Sequence, residues 1–190
     1  FSYQNPTRIH FGKKAINKLA NELREYGKNI LLVYGKASIK KIGLYDQVMN
    51  ILQAEGKTVV ELAGINANPR YTQLLEGARL VREHNIDLIL AVGGGSVIDC
   101  AKGIACAAYA EGDVWQRYYV NQEPVTNRVI PVGSILTMAG TGSEMNSGSV
   151  ITNEAENLKI GRVYPLALVT PRFSILNPEY TYSVPKYQMI

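Results

Sequence analysis

Gly93-Gly94-Gly95-Ser96 is the stretch of this chain best suited to holding an anion. An unbroken apolar run from Leu88 to Val92 leads into it, and a helix-like stretch follows from Val97 to Ala110. The pattern predicts a buried parallel strand, Ile86 to Val92, turning into the N-terminus of a helix. Such a turn aims backbone N–H groups and the positive end of a helix dipole at one point. Glycines carry no Cβ, so a phosphate can approach the main chain closely. Ser96 is placed to cap the helix or to donate its hydroxyl to the same anion. The competing reading is a tight turn that binds nothing. The dinucleotide fingerprint Gly-x-Gly-x-x-Gly is not met: Gly93 and Gly95 fit its first two glycines, but Ile98 stands where the third belongs.

A second polar stretch runs from Thr137 to Glu144. Thr137, Thr141 and Ser143 offer hydroxyls, and Gly140 and Gly142 permit close backbone approach. It suits a sugar, a pyrophosphate or an amide, or else it is a surface loop. Groups for catalysis are scarce. The two histidines, His10 and His84, have no partner at metal-ligand spacing, and there is no Gly-x-Ser-x-Gly or Cys-x-x-Cys. Cys100 and Cys106 fall on one predicted helix about 9 Å apart, too far for a disulfide, and free thiols fit a reducing cytoplasm.

The elements that must position these residues alternate. Strands are expected at Thr7–Phe11, Asn29–Tyr34 and Lys57–Leu62, and helices at Lys13–Tyr26, Tyr45–Glu55 and Thr72–His84. Gly35-Lys36-Ala37-Ser38 turns the chain, and Asn66, Asn68 and Pro69 lie in a loop. Beyond the glycine turn, strands are expected at Arg128–Gly133, Leu166–Thr170 and Phe173–Leu176. A hairpin is expected of Ser149–Thr152 and Lys159–Val163. This alternation predicts one α/β domain with an open, mostly parallel sheet, whose ligands bind at the carboxyl ends of the strands. With 190 residues and 46% hydrophobic content the chain can build one core. A net charge of +4 without a basic, aromatic-interleaved run argues against nucleic acid and suits an anionic ligand. No apolar run reaches the roughly 20 residues that span a membrane, and no signal-peptide pattern opens the chain.

Gly93-Gly94-Gly95-Ser96-x-x-Asp99-x-Ala101-Lys102 resembles the cofactor motif of the iron-dependent alcohol dehydrogenases. The resemblance extends to Pro6–Gly12, to Asn68-Pro69, to Thr137-x-x-Gly140-Thr141-Gly142-Ser143-Glu144 and to Ile175–Thr181, in order along the chain. The butanol dehydrogenase or broad aldehyde reductase branch is the most similar. The resemblance implies a Rossmann-like domain, akin to the N-terminal domain of dehydroquinate synthase. It also implies a C-terminal helical domain holding a divalent metal, Fe2+ or Zn2+, through one aspartate and three histidines. None of those ligands is expected in residues 1–190, since Tyr187–Ile190 precedes the helix that would carry the first. The piece alone is therefore expected to lack turnover.

By the same resemblance, Gly94, Gly95 and Ser96 would bind the pyrophosphate of a nicotinamide dinucleotide, with Asp99 shaping its nicotinamide side. Thr137 and Thr141 would contact the adenine and ribose side, and Asn146 and Lys159 the sugars. Leu176 and Tyr180 would pack against the cofactor, and Asn68 would bond a ribose or phosphate. Relatives that use NAD tend to place an aspartate after the strand ending at Tyr34; here Gly35 stands there, followed by Lys36, Ser38, Lys40 and Lys41. A neutral-to-basic turn admits a 2′-phosphate, with Ser38 and a lysine as donors, and points to NADP(H) over NAD(H). The implied activity interconverts small primary alcohols and aldehydes. A homodimer through Thr7–Phe11 is a further expectation. Two alternatives stay open: a relative of glycerol or glycerol-1-phosphate dehydrogenase on the same fold, and a non-catalytic nucleotide-binding module.

Overall fold

A computed structural model describes residues 1, 2 and 4–182 of the chain. Six parallel strands form one sheet: β1 (Arg8–Phe11), β2 (Asn29–Tyr34), β3 (Thr58–Leu62), β4 (Leu88–Gly93), β5 (Val132–Leu136) and β8 (Phe173–Leu176). Their order is β1-β8-β5-β4-β2-β3. Two further strands, β6 (Gly148–Asn153) and β7 (Leu158–Val163), form a separate antiparallel hairpin. The α/β class and the parallel sheet are those expected from the sequence.

Strand periodicity divides the apolar residues between two cores. In β2, Ile30, Leu32 and Tyr34 face the helices α1 (Leu19–Leu23) and α3 (Leu44–Ala54). Leu31 and Val33 face α4 (Tyr71–Glu83) and α5 (Gly95–Ala107). A sheet covered on both faces needs strands apolar at every position, which is why β2 and β4 read as continuous apolar runs. Glycine lets α4 and α5 cross closely. A Cβ on Gly103 would lie 2.5 Å from Leu74 Cδ1, and one on Gly77 would lie 2.6 Å from Ile104 Cγ1.

Several boundaries differ from the sequence pattern. The fifth strand starts at Val132, not Arg128, because Pro131 lacks an N–H and a central strand cannot hold it. Leu166–Thr170 is a turn: Ala167 takes a φ of 69° and Leu168 N–H closes onto Pro165 O at 3.0 Å. The helix expected over Lys13–Tyr26 is a 3-10 turn, Ala15–Lys18, leading into the short α1. A short helix, α2 (Ser38–Lys41), follows the turn after β2, and a π-helical turn occupies Trp115–Val120. The latter is held from far along the chain: buried Arg162 on β7 donates to Tyr118 O at 2.6 Å. Residues 187–190, expected to precede a further helix, lie outside the described residues.

The edge strand β1 is tied down by Glu22, a buried carboxylate on α1. Arg8 Nε and Nη2 donate to it at 2.9 and 2.7 Å, and His10 Nε2 lies 2.6 Å from Oε1. Burial alone would raise this carboxyl; the hydrogen bonds from Arg8 and His10 outweigh it and hold Glu22 below its ordinary value of 4.5. A depressed carboxyl stabilises above its unfolded pKa, and that stability is lost as pH falls through the folded value. Glu22→Gln is expected to lower stability at neutral pH by about 2 kcal/mol. In thermal unfolding followed across pH, the gap from the parent should close below pH 4.5.

Candidate cofactor cleft

Strand order places the cleft. From β2 the chain crosses through α3 to β3 on one side, and from β4 it crosses through α5 to β5 on the other. Adjacent strands β2 and β4 therefore send their helices to opposite faces. Their carboxyl ends open a crevice, the usual ligand position in such sheets. Gly35 borders it on one side and the Gly93–Gly95 turn on the other.

Helix α5 begins at Gly95, with Gly94 as its N-cap in an extended conformation. Ser96 is not the cap. Its hydroxyl donates instead to Ala67 O, tying the glycine turn to the Asn68 loop. The first intrahelical donors are Val97 and Ile98 N–H, both to Gly94 O, at 3.1 and 3.2 Å. The N–H groups of Gly95 and Ser96 therefore have no acceptor within the helix and face its open end. A Cβ on Gly94 would meet only Met138 Cβ, at 3.5 Å. One on Gly95 would collide with Thr141 Oγ1, so the threonine loop closes directly over the turn.

That loop begins at the end of β5, where Thr137 N–H donates to Gly93 O at 3.0 Å. Asn146 is consumed in shaping it: Nδ2 donates to Thr141 O at 3.1 Å, and Oδ1 accepts Gly148 N–H at 2.9 Å. Across the cleft, Lys159 on β7 donates to Asn68 Oδ1 at 2.7 Å, joining two residues far apart in sequence. The turn after β2 carries a hollow of about 400 Å³ lined by Lys36, Ala37, Ser38, Lys41 and Ile42. Lys40 is turned elsewhere, over the rings of Tyr45 and Tyr34, 4.6 and 5.7 Å from their centroids. Leu176 lines a mainly apolar hollow of about 240 Å³ with Phe11, Leu136 and Pro178. Tyr180 sits on the other core with its hydroxyl 3.3 Å from Gln47 Oε1.

The candidate residues thus form three groups: Gly94, Gly95, Ser96 and Asp99 with Thr137, Thr141 and Asn146; Asn68 with Lys159; and Gly35 with Ser38. Leu176 and Tyr180 stand beyond them, at the end of β8. Lys102 was not singled out as part of the site by the sequence. Ser143, one of the loop hydroxyls, donates to Asp99 Oδ1, and the Lys102 ammonium donates to Ser143 Oγ at 2.8 Å. The available signal was that Lys102 and Asp99 are the only charged residues between Val97 and Ala110, three positions apart on one helix face.

Burial raises the Asp99 carboxyl above its ordinary value, opposed by Ser143, Lys102, the Val150 N–H and Lys159. Burial pushes Lys102 down to about 8, opposed by Asp99 and Glu144. Both thiols are pushed up to about 12 by burial, which leaves them poor nucleophiles at neutral pH. Among the described residues, no group of three or more His, Cys, Asp or Glu could hold a metal ion, and no helix is long and apolar enough to cross a membrane.

Comparison with known proteins identifies the family and the fold. The family model for iron-containing alcohol dehydrogenase matches residues 6–178. The whole chain is 51% identical to a probable NADH-dependent butanol dehydrogenase of Bacillus subtilis, covering 48% of it. It is 41% identical to the NADPH-dependent aldehyde reductase YqhD of Escherichia coli, again covering 48%. A butanol dehydrogenase structure from Thermotoga maritima superposes with a TM-score of 0.91 at 37% identity, over 99% of this chain and 46% of that one. The chain spans about half the length of the relatives it matches.

Proposed function

Because the chain belongs to the iron-containing alcohol dehydrogenase family, we propose that residues 1–190 form the nicotinamide-binding part of a metal-dependent enzyme interconverting primary alcohols, butanol among them, and aldehydes. The observation that carries this reading is the cleft at the β2/β4 switch point. There the open N-terminus of α5 faces a loop of hydroxyls that glycine allows to close over it. The residues fit a dinucleotide. Gly94, Gly95 and Ser96 offer backbone donors to a pyrophosphate. Thr137 and Thr141 take its adenosine side, and Asn68 and Lys159 its sugars, while Asn146, its amide bonded to Thr141, Gly148 and Lys102, shapes the loop rather than reaching the sugars. Leu176 and Tyr180 supply apolar packing. The bound nicotinamide would accept or give the hydride; these residues bind and orient it.

A second nucleotide feature belongs to the same reading. Lys36, Ser38 and Lys41 around one hollow suit a 2′-phosphate and favour NADP(H) over NAD(H). The names of the relatives do not decide it, since they include both NADH- and NADPH-dependent enzymes. Among the described residues no cluster of His, Cys, Asp or Glu fits the metal, Fe2+ or Zn2+, which the reading assigns to a helical C-terminal domain. A cytoplasmic enzyme that pairs through β1, an edge strand with Phe11 74% exposed, completes it.

The test is oxidation of NADPH and NADH by the full-length protein with butanal, with Fe2+ or Zn2+ and with a chelator. Chelator-sensitive oxidation, faster with NADPH, is the expected result, together with nucleotide binding but no turnover by residues 1–190 alone. Metal binding without oxidation of either nucleotide would overturn the reading and direct the search to phosphorylated polyols. Turnover by residues 1–190 alone would overturn the assignment of the metal to a further domain.

A further inference from the structure

We propose that Lys102 is the positioning residue of this cleft: its ammonium fixes the direction of the Ser143 hydroxyl toward Asp99 and so holds the threonine loop closed over the glycine turn. Lys102 is fully buried in the middle of α5. Its Nζ lies 2.8 Å from Ser143 Oγ, 3.1 Å from Asn146 Oδ1 and 3.0 Å from Gly148 O. An ammonium has three protons and accepts nothing, so three acceptors satisfy it completely.

A direction follows for every bond around it. Ser143 must accept from Lys102, which leaves its single proton for Asp99 Oδ1. The other Asp99 oxygen takes the Val150 N–H at 3.1 Å, and Ser149 Oγ donates to Asp99 O at 2.8 Å. Asn146 presents its oxygen to Lys102 and to the Gly148 N–H, which turns its amide nitrogen to Thr141 O. One cation on α5 therefore reaches both ends of the segment from Ser143 to Gly148. Through Asn146 it also reaches Thr141, the residue that covers Gly95. The charged groups facing this network are Asp99 on the same helix, Glu144 from the 3-10 turn Ser143–Met145, and Lys159 from β7.

Burial with only partial compensation lowers Lys102 to about 8. Loss of its proton turns one donor into an acceptor. Three facing acceptors are then no longer all satisfied, and Ser143 loses its imposed direction. A lysine that only filled space would give no such dependence.

The test uses Lys102→Met, which keeps length and volume, and Ser143→Ala, which leaves the charge in place. Amide exchange over residues 139–148 is expected to quicken about tenfold in each while β4 and β5 keep their protection. The dissociation constant for the nicotinamide nucleotide should rise by about the same factor, since loop closure and binding are linked. The parent protein should also bind nucleotide more weakly above about pH 8, and Lys102→Met should lack that alkaline limb. Unchanged loop exchange in the folded variants, or the same alkaline limb in Lys102→Met, would overturn the proposal. The affinity arm rests on the proposed function. If the parent binds no nicotinamide nucleotide that function fails, while the exchange comparison still decides what Lys102 does.

Discussion

Gly35→Asp is expected to reverse nucleotide preference, moving the NADPH-to-NADH ratio of kcat/KM by about a hundredfold toward NADH. The position accepts a side chain. A Cβ there would lie 3.7 Å from Ile65 O and 3.9 Å from Val97 Cγ2, both ordinary contacts, and Gly35 is not among the glycines at positive φ. The new carboxylate would stand at the end of β2, beside the hollow lined by Lys36, Ser38 and Lys41. Two effects then add. It repels a 2′-phosphate, and it draws the lysines that would otherwise donate to one. With NADH the same carboxylate gains a partner in the 2′-hydroxyl. Steady-state kinetics with both nucleotides on the full-length protein checks this, with thermal unfolding as the control for folding. Lys41→Ala in the same assay should weaken NADPH alone, by about tenfold, since it removes attraction without adding repulsion. An unchanged ratio in Gly35→Asp would place the adenosine 2′ position away from this turn.

The cleft is legible in the sequence where one stretch of chain makes it. The apolar run into Gly93–Gly95 fixes both β4 and the open helix end. The continuous apolarity of β2 and β4 gives the parallel, doubly covered sheet. The pattern fails where a partner distant in the chain decides. Trp115–Val120 buries Trp115, Tyr118 and Tyr119 at the i, i+3, i+4 spacing of an α-helix yet forms a π-helical turn, with Arg162 from β7 donating to the Tyr118 carbonyl. Val129 and Ile130 are as apolar as the true strand that follows, and the missing N–H of Pro131 sets the boundary. Ser96 has the composition of a cap, but the carbonyl of Ala67 takes its hydroxyl. Lys102 and Ser143 lie 41 positions apart, and nothing local in either segment announces the bond between them.

Gly94 and Gly95 are neighbours, yet alanine at each should fail in a different way. At Gly94 a methyl group meets only Met138 Cβ at 3.5 Å, and the backbone, with φ −86° and ψ −172°, is one that alanine adopts readily. Gly94→Ala should therefore unfold within about 1 kcal/mol of the parent. Its methyl group, however, projects into the gap between the helix end and the threonine loop, where a phosphate must reach the N–H groups. Nucleotide affinity should fall by about a hundredfold or more, because two or more charge-assisted bonds lengthen together. At Gly95 the methyl group collides with Thr141 Oγ1, and the loop has to lift. Gly95→Ala should lose about 1–3 kcal/mol of stability as well as affinity. Thr141→Ala removes the colliding hydroxyl. The double variant Gly95→Ala/Thr141→Ala should then recover most of the stability, a coupling visible in a double-mutant cycle by thermal unfolding. Affinity should stay low in the double variant, because the Thr141 hydroxyl is gone. Recovery of affinity together with stability would mean that Thr141 only covers the turn and makes no bond to the nucleotide. A Gly94→Ala protein that binds as tightly as the parent would mean that the phosphates lie elsewhere than at the N-terminus of α5.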